Sequence, residues 1–142
     1  MIKKNNIEKY VKLFETLNLE NLNKFDKLLD ENIYFEDPFN KVYGIENFKK
    51  IFSNTLKKLE NVEFKVLNII SKNNIHIIKW EMIFFAFNKN NSILGLSEVT
   101  IGKNKKIISH IDYWDSYNNF YTKIPILGLA FKFFLSLVSK RI

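Results

Sequence analysis

The chain has no cysteine and only two histidines, His76 and His110. Disulfides, thiol nucleophiles and zinc–thiolate centres are therefore excluded, and a multi-histidine metal site cannot be assembled. No metal and no cofactor is expected. Arginine, the preferred base-reading side chain, occurs only at Arg141. The lysines that give the chain its net charge of +7 are spread along it and not clustered with exposed aromatics. Abundant Lys, Asn and Ile also match the coding bias of an AT-rich genome, so no nucleic-acid partner is expected; weak attraction to anionic lipid stays open. The four glycines form no phosphate-cradling loop, and there is neither a nucleophile elbow nor a carboxylate cluster with metal spacing. The polar start, Met1 to Asn6, runs into Glu8 and Lys9 without a signal-peptide apolar region, so a cytoplasmic location is expected.

What the chain does have is apolar bulk. Its 142 residues suit one domain, and 46% of them are hydrophobic, too many for intrinsic disorder. Fourteen phenylalanines exceed the needs of a modest core, which points to a greasy cavity, an interface or a membrane-facing surface.

The hydrophobic period changes midway. Ile7, Tyr10, Val11, Phe14 and Leu17 repeat as a helix, with Asn18 as its stop and as N-cap of a second helix bearing Leu22, Phe25, Leu28 and Leu29. Residues 33–37 read as a short strand closed by Pro38, and residues 38–44 as a loop hinged at Gly44. Phe48, Ile51, Phe52 and Leu56 mark a third helix. Beyond it, residues 62–71, 75–87, 93–101 and 106–116 read as hairpin-spaced strands, the second apolar on both faces. The pattern predicts an α+β fold, a curved, mainly antiparallel sheet with helices gathered on one face.

Three groups can carry chemistry. Phe35 and Asp37 share a strand face opposite Glu36. If helices cover that face, desolvation raises the Asp37 pKa and makes it a general base; otherwise it is a solvated strand end before a proline turn. Alternation places Ile108, His110, Asp112 and Trp114 on one face of the last strand, with His110 and Asp112 about 7 Å apart along it. That spacing suits gripping one water or ligand between them rather than a direct hydrogen bond; the competing reading is an edge histidine with a surface counter-charge. Trp80, Met82 and Phe84 form one face of the central strand and either line a cavity beside His110 or pack the core.

The helix-helix-strand opening, the Phe35-Glu36-Asp37-Pro38 element and the closing long hairpins resemble the nuclear transport factor 2-like superfamily, within it the SnoaL-like proteins and ketosteroid isomerase. The resemblance covers about residues 7–117 of a single domain spanning 1–142. It implies a cone, a bent sheet wrapped around N-terminal helices with a pocket at the open end, and a small apolar ligand or substrate. It places the isomerase base at Asp37 and pocket positions at His110, Asp112 and Trp114. The family's pocket tyrosine falls on Phe52, its first-helix tyrosine near Leu13, and its proton-donating aspartate about Ser97 or Glu98. Asp37, His110 and Asp112 are then the candidate catalytic residues, and Phe52, Trp80, Met82, Phe84 and Trp114 the candidate pocket wall. Isomerase-, hydrolase- or cyclase-like acid–base chemistry and non-catalytic binding of an apolar ligand are the two functions implied.

Residues 118–142 extend past that resemblance. From Pro125 onward only Lys132, Ser136, Ser139 and Lys140 form a polar stripe on an otherwise apolar helix. The expectation is that Phe131, Phe134, Leu135 and Val138 lie against protein while Lys132, Ser136 and Lys140 face water. The cover is the mouth of the cone or the second subunit of a homodimer, ahead of a membrane surface contacted through residues 124–142, which Lys140 and Arg141 would suit.

Overall fold

The computed structural model describes residues 2–139. Helix α1 (Ile2–Glu15) is followed by a 3₁₀ turn at Leu22–Lys27, strand β1 (Leu29–Glu36), strand β2 (Lys41–Tyr43) and helix α2 (Ile45–Lys58). Four strands follow, β3 (Glu60–Lys72), β4 (Ile75–Ala86), β5 (Lys89–Ile101) and β6 (Ile107–Trp114), and then the short helix α3 (Ser116–Asn119) and helix α4 (Pro125–Val138). The strands form one curved, unclosed sheet in the order β2-β1-β6-β5-β4-β3. Every neighbouring pair is antiparallel except β1 with β6, which is parallel. The α+β cone expected from the sequence is the fold observed.

Local chemistry explains the departures. Asn18 accepts from the amides of Glu20 and Asn21 and so closes a turn; the helical stretch after it tightens to a single 3₁₀ segment. β1 starts earlier than expected because Leu29 and Ile33 are both fully buried and hold the intervening Asp30-Glu31-Asn32 in the strand. The loop after Pro38 contains β2, which pairs back on β1 at Tyr34, Phe35 and Glu36. On the outer face there, Glu36 accepts the Tyr34 hydroxyl and sits 3.5 Å from Lys41 Nζ; the Tyr34 hydrogen bond is the main cause that lowers its pKa. Gly44 leads into α2 at φ +89°, a conformation that side chains with a Cβ rarely adopt.

β4 is not buried on both faces. Its inward residues His76, Ile78 and Phe84 are buried, while Ile75 and Lys79 on the other face are exposed, so the outer sheet surface is open to solvent. The concave face carries the core. Tyr10, Phe25, Phe35, Phe48 and Phe52 pack edge-on or tilted, with ring centroids 4.8–5.8 Å apart for neighbouring pairs such as Phe48–Phe52 and Tyr10–Phe25. Each fully buried ring of this size contributes roughly 1.5–3 kcal/mol by its removal from water.

β6 carries a bulge. Thr100 of β5 pairs with Ser109 and Ile101 with Ile107, so Ile108 is the extra residue. Ile107 is consequently fully buried and Ile108 39% exposed. The expectation that Ile108 shares the inner face with His110 is corrected: the one-residue slip leaves His110 and Asp112 inside and turns Ile108 out.

Of the two protein covers expected for helix α4, the mouth of the cone is not the one it meets within this chain: no α4 side chain borders the cavity among the described residues. On the single chain Phe134, Leu135 and Val138 are exposed, Val138 at 82%, and Phe131 is partly covered. The link from α3 is short, and α4 docks through Gly128, where a Cβ would lie 2.7 Å from the Thr122 carbonyl oxygen. That contact uses the small-residue side of the helix, and only Phe131 turns back onto the rings of Tyr117 and Tyr121. Lys132 and Ser136 are exposed as expected; Lys140 and Arg141 lie outside the described residues. With so little of α4 covered, deleting residues 124–142 should change unfolding free energy by no more than about 0.5 kcal/mol, the usual range for surface changes. Chemical denaturation of the full and shortened chains measures this, and a loss of several kcal/mol would mean that α4 is packed.

Candidate functional site

Sheet register assembles the site row by row. Phe35 of β1, His110 of β6 and Val99 of β5 are cross-strand partners; the next row is Asp112, Ser97 and Ile78; the next is Trp114, Gly95 and Trp80. Three rows of inward side chains thus face α1 and α2 across the concave surface. Between them lies a cavity of about 520 Å³. Phe35, Asp37, His110, Asp112 and Trp114 line one side, Trp80, Met82 and Phe84 another, and Tyr10, Phe14, Ile51 and Phe52 the helical side. The three candidate catalytic residues and the five candidate wall residues therefore border one cavity. Phe39, Phe120, Tyr121 and Lys123 add a rim, with Phe39 5.3 Å from the Trp114 ring and 4.9 Å from that of Phe120.

A hydrogen-bond chain crosses the wall. The Tyr10 hydroxyl lies 2.6 Å from His110 Nδ1, and His110 Nε2 lies 2.7 Å from Asp112 Oδ1. Ser97 donates its hydroxyl to the same Asp112 oxygen and accepts the Trp80 indole N–H at 2.7 Å. The direct His110–Asp112 bond corrects the expectation of a gap between them. Alternate residues are about 7 Å apart at their Cα atoms, but both side chains lean toward each other and the imidazole spans the difference.

The proton positions follow from satisfying each buried group. Tyr10 is fully buried and its hydroxyl has no other acceptor among the described residues, so it donates to Nδ1. Nδ1 is then bare, Nε2 carries the proton, and Nε2–H donates to the Asp112 carboxylate. Asp112 Oδ1 thus takes two hydrogen bonds. Oδ2 takes none among the described residues, and Asp112 borders the cavity. Burial first, and the nearby Asp112 charge second, push the Tyr10 phenol well above its ordinary value.

Asp37 is placed differently. It borders the cavity, but its carboxylate folds back over its own loop. Oδ1 accepts from the amides of Phe39 (2.8 Å) and Asn40 (2.6 Å), and the Asn40 side-chain amide reaches both oxygens at 3.0 and 3.1 Å. The half-buried carboxylate is the anchor of an Asx turn and not a group desolvated among apolar side chains. Of the positions matched to the isomerase donors, Phe52 lines the cavity, Leu13 is in the core and does not, and Ser97 lines it as part of the chain above. Tyr10 is the member of this hydrogen-bond chain that the sequence pattern does not single out. Its signal was present: a tyrosine on the apolar stripe of a helix needs a partner for its hydroxyl once buried, and His110 was the available group. Ser97 had the weaker signal of alternation with Val99.

Gly95 fixes the last member of the chain. A Cβ there would sit 2.4 Å from the Trp80 indole, which lies flat across the glycine. Replacing Gly95 with Ala should push the ring off Ser97 and cost about 1–3 kcal/mol of stability, as overpacking does; denaturation with Trp emission reads both. Tyr10→Phe should cost about 1–3 kcal/mol near neutrality, because a buried imidazole nitrogen loses its donor. The pH dependence has a definite sign. The unfolded phenol loses its proton near pH 10, while the folded one keeps it to higher pH. The unfolded state then holds fewer protons, so the Tyr10 contribution is complete below about pH 10 and is lost as pH rises beyond. The stability gap between the natural chain and Tyr10→Phe should therefore narrow above that pH; a gap constant to pH 11 would contradict the burial of a neutral phenol.

With the geometry in place, comparison with known proteins identifies the lineage. No curated protein matches the chain. Solved structures do. A nuclear transport factor 2-like protein of unknown function from Cytophaga hutchinsonii is 19% identical over 82% of this chain and 92% of its own, with a TM-score of 0.63. An epoxide hydrolase of the LEH-like type from M. tuberculosis is 13% identical over 84% and 82%, with a TM-score of 0.67. A SnoaL-like family protein from Agrobacterium tumefaciens is 14% identical over 80% and 97%, also with a TM-score of 0.67. At such identities the likeness concerns the fold, which is the nuclear transport factor 2-like fold expected from the sequence. Residues 8–110 match the model of the DUF2358 family, described as an uncharacterized conserved protein, and the chain belongs to that family.

Proposed function

We propose that the chain is a small-molecule pocket protein that takes an apolar ligand into the cone and acts on it by proton transfer, with Asp112 as the base. The observation that carries this reading is the oriented carboxylate: Oδ1 is held by His110 and Ser97, Oδ2 has no protein partner among the described residues, and Asp112 borders the cavity. A cavity of about 520 Å³ lies within the ~300–1,000 Å³ range of small-molecule sites, and its wall is mainly aromatic and aliphatic. His110 is the positioning residue, fixed in turn by Tyr10. Such a base takes a proton from a carbon acid or from a water aimed at an electrophilic carbon. Asp37, tied into its turn, shapes the rim and holds the loop that carries Phe39. The fold-level neighbours include an epoxide hydrolase and a SnoaL-like protein, which fits small apolar substrates.

A second reading, ligand storage without turnover, is favoured by one feature. The polar donors of the inner wall, the Tyr10 hydroxyl, the Ser97 hydroxyl and the Trp80 N–H, are all committed to the internal chain, so none is aimed at a developing oxyanion.

Turnover of a panel of small epoxides and enolisable ketones separates the two. For any substrate turned over, Asp112→Asn should lower kcat by about 10²-fold or more, the usual scale of a general base. Asp37→Asn should change it by less than about threefold, a difference below 1 kcal/mol. A reversed order would make Asp37 the base. No turnover, together with saturable quenching of Trp80 and Trp114 by a neutral apolar dye, would favour storage.

A further inference from the structure

Helix α4 leaves most of its circumference uncovered. Ile126, Leu129, Phe133, Phe134, Leu137 and Val138 are each more than 60% exposed, and Leu127 and Leu135 are exposed as well. With 3.6 residues per turn, these side chains spread over about two-thirds of the circumference, leaving Gly128, Lys132 and Ser136 on the remaining strip. Such a helix is not an ordinary surface helix, which hides one apolar stripe and shows a charged face to water. A patch of this size is a binding surface or a hazard.

We propose that α4 inserts into the interfacial region of an anionic lipid bilayer, lying in one leaflet without crossing it. Three observations choose this occupant. First, the apolar arc is too wide for a second helix. A helix–helix contact covers a stripe roughly 100° wide and would leave over half of this arc wet, whereas acyl chains cover all of it. Second, the charge is complementary. From Ser116 to the last residue the sequence has Lys123, Lys132, Lys140 and Arg141 and no Asp or Glu, on a chain of net charge +7. Third, the length excludes a crossing. Fourteen residues rise about 21 Å against a hydrocarbon core of about 30 Å, and no helix among the described residues is long and apolar enough to cross a membrane. Lys132 then sits at the headgroup level on the strip that Gly128 anchors to the protein. This inference is independent of what the cavity holds.

The test is co-sedimentation of the full chain with phosphatidylcholine vesicles, with and without phosphatidylglycerol. The natural chain should pellet with the anionic vesicles, and added salt should weaken this several-fold. Phe133→Asp places a charge on the exposed arc and should reduce binding at least about tenfold. Lys132→Glu should reduce it several-fold on anionic vesicles only. Both positions are solvent-exposed, so thermal melting should be unchanged, which guards against misfolding as the cause. Failure of the natural chain to pellet with either vesicle would overturn the inference. So would binding that ignores both substitutions. A dimer in sedimentation equilibrium that Phe133→Asp splits, with no vesicle binding, would assign the face to a second copy of this chain instead.

Discussion

A buried imidazole has to satisfy two nitrogens at once, and the arrangement of this domain follows from how it does so. His110 is 4% exposed and ringed by Tyr10, Phe14, Phe35 and Phe48. Within that apolar shell an unpaired nitrogen would cost about 1–3 kcal/mol. α1 supplies the Tyr10 hydroxyl to one nitrogen from above the sheet, and β6 itself supplies the Asp112 carboxylate to the other. The chain thereby ties a helix to the sheet across one hundred residues of sequence, and it ends at a carboxylate that borders the cavity with one oxygen unpartnered among the described residues. Packing and the proposed chemistry meet in the same pair of hydrogen bonds.

The cavity exists because the sheet bends away from the helices faster than side chains fill the gap. Near β1 the gap is closed by Phe25, Phe35 and Phe48, all fully buried. Toward the rim Trp80, Met82 and Trp114 are only half-buried and become wall instead of core. Gly95, between the two tryptophans in the sheet, lets the Trp80 indole lie flat and reach Ser97. The high phenylalanine content therefore has two destinations: one set seals the closed end of the cone, and another, on α4, faces outward.

The sequence made much of this legible, and the misses have physical reasons. Period-two alternation places His110, Asp112 and Trp114 on one face, and the turn expected at Lys72-Asn73-Asn74 is there with Asn73 at positive φ; the turn expected over 88–91 is instead a tight one at Phe87-Asn88, both at positive φ, so β5 starts at Lys89 and not at Ile93. Ile108 was misplaced because a bulge carries no signature in alternation; it shows only once Thr100 and Ile101 are paired. The His110–Asp112 contact was missed because strand rise measures Cα spacing and not side-chain reach. A carboxylate before proline is compatible with both a buried strand end and a turn anchor, and alternation cannot see the Asn40 amide, two residues past the proline, that binds the Asp37 carboxylate. For α4 the general ground that wide apolar faces are buried does not say by what, and the cone mouth is the cover that this chain does not supply. The docking contact at Gly128 is set by the short connection before it, and a helical wheel has no information about that.

The direction of the hydrogen bonds through His110 decides how Asp112 is held, and nitrogen-15 NMR of the labelled imidazole reads that direction directly. The expected result is a proton on Nε2, coupled across the hydrogen bond toward Asp112, and a bare Nδ1 accepting from Tyr10, with the Nδ1 signal shifting in Tyr10→Phe. A proton on Nδ1 with Nε2 bare would contradict it, because Asp112 Oδ1 would then lose its imidazole donor and His110 would no longer hold the carboxylate.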